Sequence, residues 1–172
     1  MDFTGFVSSR YSVRSYDPLH PVEKEKLLRV LEAGRMAPSA SNRQPWKIVI
    51  VQSTPMLRKL STCYSASWFA KTTVVLIVKG NRSEAWTRKS DGYNSIETDL
   101  TILMDHLILA AHAEGLSTCW IAAFEPQKLR EVLALSESEE VFAMMPLGYP
   151  VAGEIATRPK TRKTLDEITE WL

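Results

Sequence analysis

Little in this chain could anchor a metal or a disulfide framework. Its 172 residues include two cysteines, Cys63 and Cys119, and three histidines, His20, His106 and His112. None has a partner at metal-ligand spacing, and His106 and His112 fall six apart rather than on one helix face, so no metal site is predicted and the thiols read as buried. Seven glycines are scattered, with neither GxGxxG nor GxxxxGK[ST] among them, which excludes the usual glycine loops for nucleotide phosphates. A phosphate would have to be held by side chains. No window approaches the roughly 18 apolar residues of a membrane-spanning helix, and the start, MDFTGFVSSRYSVRSYD, has no apolar centre of signal-peptide type; a cytoplasmic location is expected. Charge of one sign is lacking too: Lys plus Arg number 21 against 20 for Asp plus Glu. The net charge of +1 gives no long-range pull on nucleic acid or an anionic membrane, so any basic site must be local.

What is present is ordinary for a folded chain, with 45% hydrophobic and 24% charged residues, and the length suits one domain spanning 1–172. Apolar residues at helical spacing predict an amphipathic helix over 22–36, opened by Pro21. The β-branched runs KIVIVQ (47–52) and TTVVLIVK (72–79) predict central strands, with a short helix over 55–63 between them. Residues 80–94, GNRSEAWTRKSDGYN, show little periodicity and predict an exposed loop, the best candidate for a mobile lid. The longest helix signal follows, SIETDLTILMDHLILAAHAEG, apolar over much of its circumference and ended by Gly115. After it, STCWIAAF (117–124) reads as a strand, PQKLREVLAL as a short helix and EVFAMMPLGYP as a final strand. The tail from about 151 to 172 combines an extended portion, AGEIATRPKTRK, with a short acidic helix candidate, TLDEITEWL. Its Trp171 and Leu172 suggest docking on the body or across a dimer.

Three stretches could carry chemistry. RYSVRSY places Arg10, Ser12 and Arg14 at alternate positions, so an extended segment would aim two guanidinium groups and a hydroxyl one way, a set suited to a phosphate monoester. A second basic group, RPKTRK, holds Arg158, Lys160, Arg162 and Lys163, and the two clusters invite one shared anion. Between helix and strand lies APSASNRQPW (37–46). Pro38, Ser39, Ser41, Asn42 and Pro45 suit a connector, but Arg43, Gln44 and Trp46 are left without a reason by that reading alone.

The order RYSVRSYDP, APSASNRQPWKIVIV, LILAAHAEGLSTCWIAAF, LGYP and RKTLDEI resembles the flavin-dependent nitroreductase family in its compact form, over about residues 6 to 170. The resemblance implies an α+β fold, a mixed and mainly antiparallel central sheet wrapped by helices, in a homodimer with FMN at the subunit interface. By similarity, Arg10, Tyr11, Ser12, Val13 and Arg14 line the cofactor, with Arg10 and Ser12 toward the phosphate and Arg14 nearer the pyrimidine edge of the flavin. Arg162, with Lys160 or Arg158, corresponds to the C-terminal phosphate contact. Pro38, Ser39, Ser41 and Asn42 would approach from the other subunit, with Gln44 bordering the site. Trp120, Ala122 and Ala123 would pack near N5 and the pyrimidine edge. Two positions depart from many members of the family: Tyr11 stands where a second Arg is often found, and Ala123 where Gly is common. The implied activity is hydride transfer from NADH or NADPH to flavin N5, followed by reduction of a nitroaromatic, quinone or similar acceptor. No side-chain base is obligatory, so no catalytic residue is named. Trp68, Phe69, Trp86, Tyr93 and Phe124 are candidates to shape the acceptor pocket. The alternatives are a flavin-binding dimer without turnover and a specialist of the same fold that dehalogenates, cleaves flavin or oxidises azolines.

Overall fold

A computed structural model of the chain describes residues 2–153 and 160–172. Arg158, one of the expected phosphate contacts, lies outside the described residues. The elements run α1 (Phe3–Ser9), α2 (Lys24–Arg35), β1 (Trp46–Val51), α3 (Thr54–Ser61), β2 (Val74–Asn81), α4 (Ile96–Ala113), β3 (Ser117–Thr118), α5 (Pro126–Leu133) and β4 (Glu139–Gly148). The strands form one antiparallel sheet in the order β1-β2-β4-β3. A parallel bridge from Ser12 to Thr118 adds the extended N-terminal segment beyond β3, so the pairing is mixed and mainly antiparallel, as expected.

β2 is buried on both faces, which is why VVLIV is continuously apolar rather than alternating. Val74, Leu76 and Val78 point with Ala143, Met145 and Leu147 toward α2 and α4. Val75, Ile77 and Met144 point the other way, onto Leu60 of α3, Leu129 of α5, Phe69 and both cysteines. The period-two side-chain alternation of two central strands thus supplies both cores, and α4 is apolar over much of its circumference because one face meets α2 and another the sheet, while Glu97, Thr101 and Asp105 face solvent.

Three expectations need correction, and one helix has to be added. STCWIAAF pairs as a strand only at Ser117–Thr118, with a lone bridge from Ile121 to Met144. The backbone then leaves the sheet, and Ala122 and Ala123 are exposed. The 80–94 loop is bonded to itself rather than slack. Arg88 grips Asp91 through two bonds of 2.8 and 2.7 Å, Thr87 bridges Asn94, and the Asn94 amide donates to the Arg82 carbonyl at 3.1 Å. TLDEITEWL forms a turn but no helix. Leu165, Ile168, Trp171 and Leu172 are exposed, so no packed face offsets the cost of nucleating a helix. Finally, α1 was not anticipated. Its sequence FTGFVSS is a poor helix former, rescued by Asp2, whose carboxylate accepts from the amides of Thr4 and Gly5.

Candidate functional site

The first motif is held open-ended at the edge of the sheet. Val13 N–H donates to the Thr118 carbonyl at 3.0 Å, Asp17 N–H to that of Tyr149 at 2.9 Å, and Val151 N–H to that of Ser15 at 3.2 Å. Tyr16, 2% exposed, points inward and donates its hydroxyl to the Val13 carbonyl at 3.0 Å. Burial pushes its pKa above the ordinary tyrosine range. Val13 is in the core, so the alternation on either side of it turns Ser12 and Arg14 outward to solvent, while Arg10 is half-buried. Both arginines bring positive charge to the Cys119 thiol, whose pKa is nonetheless raised because burial dominates. Arg10, Ser12, Arg14 and the start of the 117–123 stretch therefore share one edge.

The C-terminal cations reach the same place. The Lys160 ammonium donates to the Val7 and Ser8 carbonyls at 3.1 and 2.5 Å, capping the end of α1, and sits 4.7 Å above the Tyr11 ring. Arg162 lines an open recess with Val7, Ser8, Tyr11 and Lys160. On the other side of Tyr11, a cavity of about 190 Å³ runs past Arg10, Val13, His112, Leu116 and Pro150. The His112 ring packs against that of Phe6 at 4.9 Å, tilted by 36°, and bonds to Ser9 Oγ at 2.7 Å. Its pKa is lowered, first by burial and then by the charges of Arg10 and Lys160. Lys160 is lowered likewise, by burial and then by Arg10 and Arg162. Among the described residues neither Arg10 nor Arg162 takes part in an ion pair. Cations that raise one another's charge cost, with no ion-pairing carboxylate among the described residues, are chemically suited to a phosphate dianion. Sequence reasoning anticipated Arg10, Lys160 and Arg162. It missed His112 and Ser9, because the turn of α1 that delivers Ser9 was not legible.

The 38–45 loop is elsewhere. Ala40–Asn42 makes a single 3₁₀ turn, and Ser41, Asn42 and Gln44 all adopt left-handed φ of 50°, 53° and 49°. Ser39 Oγ accepts from Gln44 N–H at 2.9 Å, and the Gln44 side-chain amide donates to Asn42 at 3.0 and 3.2 Å. The loop is fastened below by Asn81 N–H to the Pro45 carbonyl at 3.1 Å and by Ala40 N–H to Asp99 Oδ1 at 2.8 Å. Pro38, Ser41, Asn42 and Gln44 face solvent.

Strand register fixes how far this loop is from the first motif. Trp46 pairs with Gly80, whereas Ser12 pairs with Thr118, Thr118 with Leu147, and Leu147 with Val74. From Val74 to Gly80 is roughly 20 Å along the strand, and crossing from β1 through β2, β4 and β3 to Ser12 adds about 19 Å in the perpendicular direction. The two motifs occupy diagonally opposite corners of the sheet. Of the expected site residues, one chain brings Arg10–Arg14, Trp120, Ala122, Ala123, Lys160 and Arg162 to one edge, and leaves Pro38, Ser39, Ser41, Asn42 and Gln44 apart.

The aromatic candidates divide. Phe69 is buried, Trp68 packs on Tyr16, Tyr64 and Phe69, and Phe124 joins the same cluster. Trp86 and Tyr93 belong to the 80–94 loop, where the Trp86 carbonyl accepts from Ser95 N–H and the Tyr93 hydroxyl bonds to Thr98. Trp120 stands edge-on to Phe142 at 5.4 Å. Two cations elsewhere, Arg58 and Lys71, line an open recess of about 460 Å³ beside the start of α3, at a place no sequence motif marked.

Comparison with known proteins bears on this arrangement. A family model described as that of the nitroreductase family matches residues 7–63 and 59–149. A protein of Thermus thermophilus named NADH dehydrogenase is 28% identical over 192 residues, covering 94% of this chain and 92% of that protein. The crystal structure of a nitroreductase family protein from Clostridium difficile superposes with a TM-score of 0.88 at 31% identity, covering 99% and 98% of the two chains. A second Clostridium difficile structure, of a protein described as an FMN-dependent nitroreductase, gives a TM-score of 0.75 at 24% identity over 95% and 93%.

Proposed function

The chain belongs to the nitroreductase family, and from that premise we propose that it is an NAD(P)H oxidoreductase that works with FMN and reduces a nitroaromatic, quinone or similar small acceptor. The observation that carries the cofactor reading is the cation cluster of Arg10, Lys160 and Arg162, gathered from opposite ends of the sequence with no ion-pairing carboxylate among the described residues. The donor set fits a phosphate monoester, and a related protein is described as FMN-dependent. Arg10 and Arg162 hold the phosphate, with Ser12 on the same edge as a further hydrogen-bond donor. Lys160, whose ammonium is committed to the α1 carbonyls and the Tyr11 ring, sets the position of Arg162 and adds to the field.

Bound FMN would supply the redox chemistry, taking two electrons from NAD(P)H and giving them to the acceptor. The protein's part is to bind, orient and tune. Arg14, exposed on the edge beside the 117–123 stretch, places positive charge near the ring system. Exposed Ala122 and Ala123, with the half-buried Trp120, offer a small-residue backbone surface for the ring to approach. Because the 38–45 loop lies at the far corner of its own sheet, we assign it to the site of a second copy of the chain, so that each flavin is enclosed by a homodimer.

The test is flavin affinity, measured by fluorescence quenching. Arg10→Ala and Arg162→Ala should each weaken FMN binding by about 10- to 100-fold, since charge-assisted bonds contribute roughly 1.5–3 kcal/mol. Both should leave riboflavin, which lacks the phosphate, little changed. Unaltered FMN affinity in both variants would refute the phosphate assignment. Flavin that binds but stays oxidised under NADH and NADPH without oxygen would identify a binding protein rather than an enzyme.

A further inference from the structure

We infer that Asp99 is a positioning residue for the cofactor, acting through the backbone of the 38–45 loop and therefore on the site of the other chain in the dimer; the inference rests on the reading of that loop as a wall of the FMN site. Asp99 is 1% exposed in the first turn of α4. Its Oδ1 accepts from Ala40 N–H at 2.8 Å and its Oδ2 from Ser95 Oγ at 2.7 Å. Among the described residues it has no cation as partner.

A buried carboxylate is costly unless its oxygens are satisfied, and an apolar side chain would serve α4's packing without that cost. The bonds of Asp99 also do little for its own helix. Ser95 stands at the N-cap yet makes no side-chain cap bond, because its hydroxyl is turned to Asp99. The second oxygen leaves the helix altogether and fixes the amide at the start of the 3₁₀ turn. The loop's internal bonds, from Gln44 to Ser39 and Asn42, define its shape but not its place. Its place depends on the Pro45 carbonyl at one end and Ala40 N–H at the other. With three non-glycine residues in left-handed conformations between them, the loop has strain to release once the Ala40 end is freed.

Asp99→Ala should keep the fold of the apo-protein by circular dichroism and lower FMN affinity about tenfold or more, as expected for losing a charge-assisted bond that orders the loop. Asp99→Asn retains an oxygen that accepts from Ala40 N–H and should recover affinity to within about threefold. Should Asp99→Ala fail to fold, Ser95→Ala loosens only the second anchor and should cost roughly threefold in affinity. Mixed dimers decide where Asp99 acts. A dimer of one Arg10→Ala chain and one Asp99→Ala chain places both defects in one site and none in the other, so one FMN per dimer should bind with unaltered affinity. Finding no such site would overturn the action across the dimer. Wild-type affinity in both Asp99→Ala and Ser95→Ala, with Arg10→Ala weakened, would overturn the inference and leave the phosphate assignment standing. An Asp99→Asn variant as weak as Asp99→Ala would show that the loop bond is not what matters. Unaltered affinity in Arg10→Ala would instead refute the site assignment beneath it.

Discussion

His112 sits where the field of the Arg10 and Lys160 cations can be read out directly. Burial, then Arg10 and Lys160, hold its imidazole below the ordinary 6.5. A histidine whose folded pKa is depressed favours the fold while neutral. Its contribution is therefore present above about pH 6.5 and lost as pH falls through the folded pKa. Denaturant titrations of the apo-protein between pH 5 and 8 should show stability falling on the acid side, and His112→Gln should flatten that slope. Excess FMN should have the same effect, because a phosphate beside Arg10 and Lys160 offsets the repulsion and raises the His112 pKa. At this scale the sequence displayed the cations but not their neighbours. Arg10, Lys160 and Arg162 were legible as two basic clusters. That Lys160 spends its charge on the carbonyls of Val7 and Ser8 was not, since it depends on a helix stabilised by Asp2 and on a contact spanning some 150 positions.

Gly80 joins the loop to the sheet at the scale of elements. A Cβ there would meet Ile96 Cδ1 at 2.7 Å and the Pro45 carbonyl oxygen at 2.8 Å, so β2, α4 and the end of the 38–45 loop converge on a space without room for a methyl. The Ile96 side chain can swing aside; the Pro45 backbone cannot move without lifting the loop. Gly80→Ala should cost about 1–3 kcal/mol through this overpacking, lowering Tm by roughly 2–4 °C per kcal/mol in calorimetry. Unlike a substitution confined to the core, it should also weaken FMN binding. The elements themselves were legible where burial and periodicity agree, as in VVLIV of β2 and the long apolar α4. They failed where tertiary context decides. STCWIAAF has the composition of a strand but pairs regularly over two residues, with a lone bridge at Ile121, and TLDEITEWL has a helical pattern whose apolar residues are exposed within one chain. Asp99 escaped notice because a lone acidic residue in a first helical turn is unremarkable until its second oxygen is seen to reach Ala40.

Over the whole molecule, the described tail leaves Leu165 75%, Ile168 63% and Trp171 93% exposed, an apolar surface expected to be covered when two copies associate. Sedimentation velocity should find a dimer, and removing residues 164–172 should weaken it while sparing Lys160 and Arg162. The diagonal placement of the two motifs extends the consequence beyond architecture. If half of every cofactor site comes from another chain, flavin and a second chain are ligands of one equilibrium, each raising the apparent affinity for the other by mass action. FMN titrations at nanomolar and micromolar protein should then yield different apparent dissociation constants, tighter at the higher concentration; identical values would show a site complete within one chain. Flavin loading would thus report the abundance of the protein as well as the supply of the vitamin, and scarce chains would remain unloaded even where FMN is plentiful.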